Sequence, residues 1–427
     1  MIRNFIKKFT QNFLLLLSTI FILLFIFNFI LIHFSHKQKI PRQLAGSLPN
    51  YYFSFYPDTY EKDKLKKYTA ILGDSLAQGS GDGYLSSKYD YSFAHHLHNM
   101  TGLNFLNFAR GGYGSISSVS NFERILKMSK NSFFQSSLEI PKKFIFFFSE
   151  GNDLTDNFDH YTELQSAISV KEYVNSQIEK NLKDSDKKII EQNIPIIFFF
   201  KKIIFNDLIR YIKKIDNYSS FVVETTKIFN KISGHTVSLS QDEINALDLN
   251  KFKNFERKVQ PLESAANELN SKEILISLEI FFESINYLNN KYKDSEIIVI
   301  YLPSPVSSYE WEEPITIWSN YISKNKLGFL KTSNEQNNYN RKFITENILE
   351  FCNKKNFQFL DVSEFVRNKG NQNLIHGPID MEHFNHYGYK IVSKYIFDNI
   401  KLKLKYSKNI SYWINKDKTS SGLDKQF

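Results

Sequence analysis

Cysteine and glycine are scarce in this sequence. Cys352 is the one cysteine among 427 residues, so the chain cannot form an internal disulfide, and cysteine content says nothing about its compartment. It lies in the helix-like run FITENILEFCNKKN, where we expect a small buried thiol. There are 16 glycines against 40 phenylalanines and 24 tyrosines. We interpret this bulky, aromatic composition as a bias of the genome and not as a mark of function.

A nucleic-acid-binding segment is also missing. The formal net charge is +9, and a basic balance can serve nucleic acid, anionic lipid or anionic glycan. The lysines, however, are mixed with glutamates, as in NSQIEKNLKDSDKK, which is typical of a solvated helical surface. No basic run interleaved with base-stacking aromatics is present, so we predict no nucleic-acid partner.

One long uncharged apolar run is present, from Phe13 to Ile32. As a helix, it would span about 30 Å, the thickness of a bilayer's hydrocarbon core. A cleavable signal peptide would have a shorter apolar region followed by small residues, and HFSHKQKIPRQ follows instead. We therefore predict an uncleaved signal anchor, a single-pass transmembrane helix, with the membrane as a partner.

The orientation of this anchor is less strongly encoded. Basic residues flank the run almost equally, so the positive-inside rule alone does not decide. A short N-terminus before a large domain favours a cytoplasmic N-terminus and a domain on the extracytoplasmic, periplasmic side. A second apolar stretch, Ile194 to Ile212, contains Lys201, Lys202 and Asp207 and is too polar to cross.

Short apolar runs alternate with helical patterns in the rest of the chain. Strands that are apolar along their whole length and alternate with helices indicate an α/β protein whose parallel sheet is covered on both faces. The predicted strands are 68–73, 103–108, 144–148, 296–302 and 357–360. The predicted helices are 92–102, 119–130, one capped by Ser271, 343–353 and 389–404.

The alternation is interrupted between residues 155 and 264. Ser169 and Glu172 have capping-box spacing there, and we predict a mostly helical insertion. Its apolar stretch 194–212 could be core, a lid or a membrane-surface contact. The predicted organisation is an N-terminus and anchor (1–45), a first part of the α/β domain (46–154), the insertion (155–264), a second part (265–406) and a polar tail (407–427). No internal repeat is present.

Polar residues suited to catalysis follow these strands, and active sites of open parallel sheets lie at the carboxyl ends of strands. Ser75, in GDSL, follows the first strand directly. A serine hydroxyl needs a base to become a nucleophile and donors for the oxyanion that forms. Gly112 in NFARGGYG could offer a backbone N–H, and Asn152 in SEGNDL a side-chain amide.

The base could come from DMEH, just before the last helix. Asp380 and His383 are three residues apart, which on one helical turn puts both side chains on the same face. Asp380 would then hold the imidazole in the tautomer that accepts a proton.

These four motifs together resemble the SGNH/GDSL hydrolase superfamily, over roughly residues 68–153 and 271–404. The resemblance implies a three-layer α/β/α sandwich of flavodoxin-like type with a five-stranded parallel sheet. It implies Ser75 as nucleophile, Asp380 and His383 as its partners, and Ser75, Gly112 and Asn152 around the oxyanion. The third motif departs from the family's frequent Gly-x-Asn-Asp, because Glu150 takes the place of the glycine.

The activity implied is ester chemistry through an acyl-enzyme, without metal or other cofactor, on acyl esters, such as acetyl esters, of envelope glycans or lipids. Two alternatives stay open: transfer of the acyl group to a sugar hydroxyl, and an inactive envelope scaffold. A zinc site at His376, His383 and His386 lacks an accompanying His-Glu-x-x-His pattern. His95, His96 and His98 are spaced like a helix surface. GSGDG (79–83) is similar to a phosphate-binding loop without its lysine, and we predict a flexible rim beside Ser75.

Overall fold

A parallel five-stranded sheet forms the centre of the protein in a computed structural model. The structure describes residues 8, 10–20, 22–26, 67–82, 92–130, 138–162, 169–193, 249–319 and 328–400. The central strands are β1 (Tyr68–Leu72), β2 (Asn104–Asn107), β3 (Lys143–Ser149), β7 (Glu296–Leu302) and β10 (Gln358–Asp361). Their order across the sheet is β10-β7-β3-β1-β2 and all four pairings are parallel, so the expected parallel α/β sheet is confirmed.

The strands are apolar throughout because both faces of the sheet are buried. Along β3, Ile145 and Phe147 join one apolar cluster, while Phe144, Phe146 and Phe148 join another. Alternate residues of a strand point to opposite faces, so each cluster fills the space between one face and its helices. These five side chains are at most 1% exposed.

Helices cover each face. The first face carries α3 (Ser115–Lys130), α4 (Asp153–Thr162), α5 (Val170–Asn193), α7 (Ser271–Lys291) and α8 (Asn334–Lys355). The second carries α1 (Ser75–Gln78), α2 (Phe93–Thr101), α9 (Ser363–Gly370) and α10 (His386–Asn399). A short helix, α6 (Ala265–Glu268), precedes α7. Cys352 is fully buried on α8, as expected, and burial raises the pKa of its thiol to about 12.

Local capping fixes where the helices begin. Ser169 and Glu172 exchange the hydrogen bonds of a capping box before α5, as their spacing predicts. The cap of α7 is Asn270 and not Ser271: the Asn270 side chain accepts from Lys272 and Glu273 N–H groups. Ser271 is instead the first helical residue, because the Asn270 side chain and Glu273 form a reciprocal box one position earlier.

Two small sheets lie outside the central one. β4 (Asn250–Lys251) pairs with β5 (Lys258–Val259), and β8 (Ile315–Ser319) pairs with both β6 (Leu262–Glu263) and β9 (Gly328–Thr332). They pack Phe252 and Trp311 into the second cluster. None of these strands was predicted: β4, β5 and β6 are only two residues long, and β8 and β9 lie beyond the alternation of strand and helix that the sequence shows.

The segment expected to be an insertion begins with α4 and α5. Phe158 of α4 and Tyr173, Val174 and Ile178 of α5 are buried in the first cluster. The stretch 194–212 and the rest of 194–248 lie outside the described residues, as does the predicted tail.

The structure describes only part of the predicted anchor. Residues 8, 10–20 and 22–26 are helical, while 21 and 27–32 lie outside the described residues. Within the described ranges, no helix combines the length and the hydropathy that crossing a bilayer requires.

Candidate active site

Ser75 stands on a sharp turn between β1 and α1. Gly73 has φ +141°, and a Cβ there would lie 2.8 Å from the Ala77 Cβ and 3.1 Å from the Phe147 carbonyl. Asp74 closes the turn, because its Oδ1 accepts the N–H groups of Leu76 and Ala77 and the Ser149 hydroxyl. This geometry makes Ser75 the first residue of α1, at the carboxyl end of a central strand.

The structure brings Ser75, His383 and Asp380 into one hydrogen-bonded chain. The Ser75 Oγ is 2.7 Å from the His383 Nε2, and the His383 Nδ1 is 2.8 Å from the Asp380 Oδ2. An ionised carboxylate only accepts, so the His383 Nδ1 carries the proton and Nε2 is free to accept from the serine hydroxyl. This is the arrangement of a general base and its orienting acid.

The state of Asp380 supports that role. Burial opposes its ionisation, but the hydrogen bond and charge of His383 and the N–H of Glu382 hold the pKa of Asp380 below its usual value. The carboxylate is therefore ionised at neutral pH and stabilises positive charge on His383 as it forms.

Asp380 and His383 do not share a helical turn, contrary to the expectation. They lie in a turn before α10, which begins at His386. The Asp380 Oδ1 accepts the Glu382 N–H at 3.1 Å and so closes that turn itself. The three-residue spacing still brings the two side chains together, because a tight turn, like a helix, returns the chain after three residues.

The loop holding His383 is fastened to the second cluster. Phe384 is fully buried and packs edge-on against Phe93 and Tyr389. Tyr389 in turn donates to the carbonyl oxygens of Leu76 and Ser80 on the serine turn. The serine and histidine segments are thus joined beside the Ser75–His383 hydrogen bond as well as through it.

The predicted oxyanion donors lie on loops that flank Ser75. The sheet order places β1 between β2 and β3, so the loop with Gly112 and the loop with Asn152 stand on either side of the serine turn. Within the described ranges, the N–H groups of Ser75 and Gly112 and the Asn152 side chain make no hydrogen bond. All three are available to a ligand.

Gly111 lies closer to Ser75 than the sequence indicates. A Cβ on Gly111 would be 3.5 Å from the Ser75 Cβ, whereas one on Gly112 would meet nothing within 4 Å. The Gly111 N–H, however, donates to the Gln78 Oε1 at 2.8 Å. Gly112, with φ +73°, keeps an uncommitted N–H, as the predicted oxyanion donor requires.

Glu150 is a polar residue whose surroundings the sequence did not reveal. It is fully buried and accepts hydrogen bonds from Tyr301, Ser304 and Ser307. Burial raises the pKa of Glu150, and these hydrogen bonds limit the rise. Through these hydrogen bonds, the Glu150 carboxyl links the end of β3 to the end of β7. Glu150 lies two residues before Asn152. The departure from Gly-x-Asn-Asp at this position was the one signal in the sequence that pointed to Glu150.

The histidines weighed as possible metal ligands make other contacts. His376 is fully buried, its Nδ1 meets the Tyr309 hydroxyl at 2.9 Å, and burial lowers the pKa of His376 to about 3. His98 contacts the Leu103 carbonyl and His95 contacts Asn99. Across the described ranges, no group of three or more His, Cys, Asp or Glu side chains is arranged to hold a metal ion.

Comparisons with known proteins add no assignment: no family model matches the chain, and no curated protein matches it either.

Asp156 carries a perturbed carboxyl one helical turn after Asn152. Its N–H donates to the Asn152 carbonyl, and its Oδ2 is buried without a hydrogen-bond partner in the described structure. Burial, followed by the charges of Asp74, Asp159 and Glu263, raises the pKa of Asp156 from 3.8 to about 7. The folded state therefore holds a proton that the unfolded chain releases at lower pH.

We expect Asp156→Asn to stabilise the protein above neutral pH. The protonated carboxyl contributes stability that is complete below pH 3.8 and is lost as the pH rises through 7. The full shift corresponds to about 4 kcal/mol, and partial exposure reduces the expected gain at pH 8 to roughly 2 kcal/mol. Urea unfolding at pH 8 and at pH 3.5 measures the difference.

The exposed Asp294→Asn variant is the matched control, since it removes the same charge elsewhere. The comparison is the change in the free energy of unfolding, variant minus wild type, at pH 8 and at pH 3.5. The raised pKa of Asp156 is contradicted if this change grows with pH no more in Asp156→Asn than in Asp294→Asn.

Proposed function

We propose that this protein is a serine esterase that cleaves acyl esters through an acyl-enzyme on Ser75. The observation that carries the proposal is the continuous chain of hydrogen bonds from Ser75 through His383 to Asp380. A buried polar contact can be structural, but here the three groups are partly exposed, and Ser75 lies at the carboxyl end of a strand, where a substrate can reach it.

The mechanism follows from the positions of the protons. The Ser75 Oγ attacks the ester carbonyl carbon as His383 Nε2 takes the hydroxyl proton, and Asp380 stabilises the resulting imidazolium. The carbonyl oxygen becomes an oxyanion, which the N–H groups of Ser75 and Gly112 and the Asn152 amide receive. His383 then returns the proton to the leaving alcohol, and the acyl group stays on Ser75.

The second half repeats these steps with water. His383 takes a proton from a water molecule as the water oxygen attacks the acyl carbon. It then returns that proton to the Ser75 oxygen as the acid leaves. Nothing in this cycle changes oxidation state.

Further support comes from the strand order, which is 2-1-3-4-5 when the central strands are numbered along the chain. In this order the direction of winding switches between the first and third strands, where ligands of open α/β sheets bind. Ser75 follows the first and Asn152 the third. We therefore propose the flavodoxin-like α/β/α sandwich and membership of the SGNH/GDSL superfamily.

The proposed substrates are small acyl esters, such as acetyl groups, on glycans or lipids of the cell envelope. The link to the envelope comes from the sequence, through the apolar N-terminal run. Transfer of the acyl group to a sugar hydroxyl uses the same first half-reaction and differs only in the acceptor.

We expect purified full-length protein to hydrolyse p-nitrophenyl acetate and Ser75→Ala to lose this activity by about 10⁴-fold or more. Ser271→Ala, an exposed serine at the start of α7, is the matched control and should retain full activity. Release of p-nitrophenol and the mass of the Ser75 peptide are the two measurements.

The outcomes separate the alternatives. Acetylation of Ser75 that turns over only when an oligosaccharide acceptor is added would replace the esterase with a transferase. Absence of both acetylation and turnover would leave an inactive scaffold and end the proposal.

We also propose that the run 13–32 anchors the protein in a membrane with the α/β domain on the periplasmic side. Phe13, Leu14 and Leu15 are among the large apolar side chains of the N-terminal helix that lie exposed, and a lipid environment would cover them.

An alkaline phosphatase fused after Phe427 should be active in cells, because that enzyme folds only where its disulfides can form. A green fluorescent protein fused at the same residue and exported by the same route should be dark. A fluorescent fusion together with an inactive phosphatase would place the domain in the cytoplasm instead.

A further inference from the structure

Gly81 and Asp82, in the loop after the serine turn, lie against the segment that carries Asp380 and His383. From the sequence this loop was expected to be a flexible rim beside Ser75. In the structure, Ser80 N–H donates to the Ser75 carbonyl at 2.9 Å, which holds the start of the loop on the serine turn. The two residues that follow reach the histidine segment, almost 300 positions later in the chain.

Asp82 makes direct hydrogen bonds to the backbone of the catalytic acid. Its Oδ1 accepts the Asp380 N–H at 2.8 Å and the Ile379 N–H at 3.2 Å, and its Oδ2 is 3.3 Å from the same Ile379 nitrogen. Hydrogen bonds to an ionised acceptor are roughly twice as strong as those between neutral groups. The carboxylate therefore fixes the two peptide groups from which the Asp380 side chain projects.

Gly81 lies where the loop after the serine turn packs against the segment that carries His383. Its φ is +123°, and a Cβ there would lie 2.8 Å from the Phe384 carbonyl oxygen and 3.1 Å from the His383 Cβ. Only a residue without a side chain allows the loop to approach His383 this closely. The loop thus contacts the histidine by packing and the aspartate by hydrogen bonding.

We propose that Asp82 is a positioning residue for the catalytic pair, holding Asp380 so that its carboxylate meets the His383 Nδ1 while Nε2 meets Ser75. This inference rests on the proposed esterase function and deepens it. Asp82 does not touch the reacting atoms, and its effect is transmitted through the Asp380 backbone.

A positioning role predicts a loss of turnover without a loss of binding. A misplacement of about 1 Å in a catalytic group can cost on the order of 10²-fold in rate. In Asp82→Asn the side-chain oxygen can still accept one N–H. The negative charge is lost, however, and the amide NH₂, which is a donor, can then face the Ile379 N–H. Asp82→Ala removes both acceptors.

We therefore expect kcat for p-nitrophenyl acetate to fall about 10-fold in Asp82→Asn and about 100-fold in Asp82→Ala. KM should stay within about twofold of wild type, because a residue that acts only through Asp380 adds no contact to the bound ester. The kcat is expressed per active site, titrated by stoichiometric fluorophosphonate labelling of Ser75, so that unfolded molecules do not count. Asp294→Asn is the matched control and should leave both constants unchanged.

Two results would overturn the proposal. One is an unchanged kcat per labelled site in both Asp82 variants. The other is a rise in KM at constant kcat, which would make Asp82 part of the substrate site.

A measurement without substrate separates this inference from the proposed function. The proton shared by the His383 Nδ1 and the Asp380 carboxylate should give a far-downfield proton resonance in wild type and in Ser75→Ala. We expect Asp82→Ala to broaden or abolish it and Asp294→Asn to retain it.

If wild type shows the resonance but no esterase activity, the esterase proposal fails while the positioning contact is still tested. A resonance that persists unchanged in Asp82→Ala refutes the positioning role whether or not the protein is an esterase.

Discussion

The hydrogen bond between Ser75 and His383 joins side chains 308 positions apart, and it exists only because the sheet and both flanking layers are in place. The serine is set by Gly73 and Asp74 at the end of β1, an interior strand of the sheet. The histidine arrives from beyond β10, at the edge of the sheet, on a segment that Phe384 and Tyr389 anchor into the second apolar cluster. Neither segment could hold this 2.7 Å contact alone, so the contact between the proposed nucleophile and its proposed base depends on the folded domain.

Buried carboxyl groups support the loops around this contact, and each has a different task. Asp74 receives two backbone N–H groups and a hydroxyl beneath Ser75, and Asp153 receives the Ser149 N–H at 2.7 Å. Glu150 ties neighbouring strand ends together. Burial and then the charge of Asp74 raise the pKa of Asp153 well above its usual range. Asp380, by contrast, is held ionised by His383. The pKa of Asp380 is thus lowered at the histidine, where positive charge develops during the proposed reaction.

The sequence predicted those parts of the protein that depend on local pattern. The central strands are contiguous apolar runs, and the GDSL, Gly-rich, Asn-Asp and Asp-x-x-His motifs each follow a helix or strand signal, so their meeting at one edge of the sheet could be anticipated. Long-range contacts could not be. Nothing in the neighbourhood of Asp82 or Glu150 reveals that one accepts N–H groups near residue 380 and the other a hydroxyl from residue 301. The two-residue strands β4 to β6 likewise lie near a long-range stack of Phe252 on Trp311, which no local periodicity encodes.

The central claim is that His383 activates Ser75, and the rate at which a fluorophosphonate labels Ser75 measures this most directly. Phosphonylation needs the serine proton to be removed, as acylation does, but needs no substrate pocket. The account predicts a single adduct on the peptide containing Ser75 and a labelling rate about 10⁴-fold lower in His383→Gln. Labelling of His383→Gln as fast as wild type, or an adduct on a different residue of wild type, would contradict it.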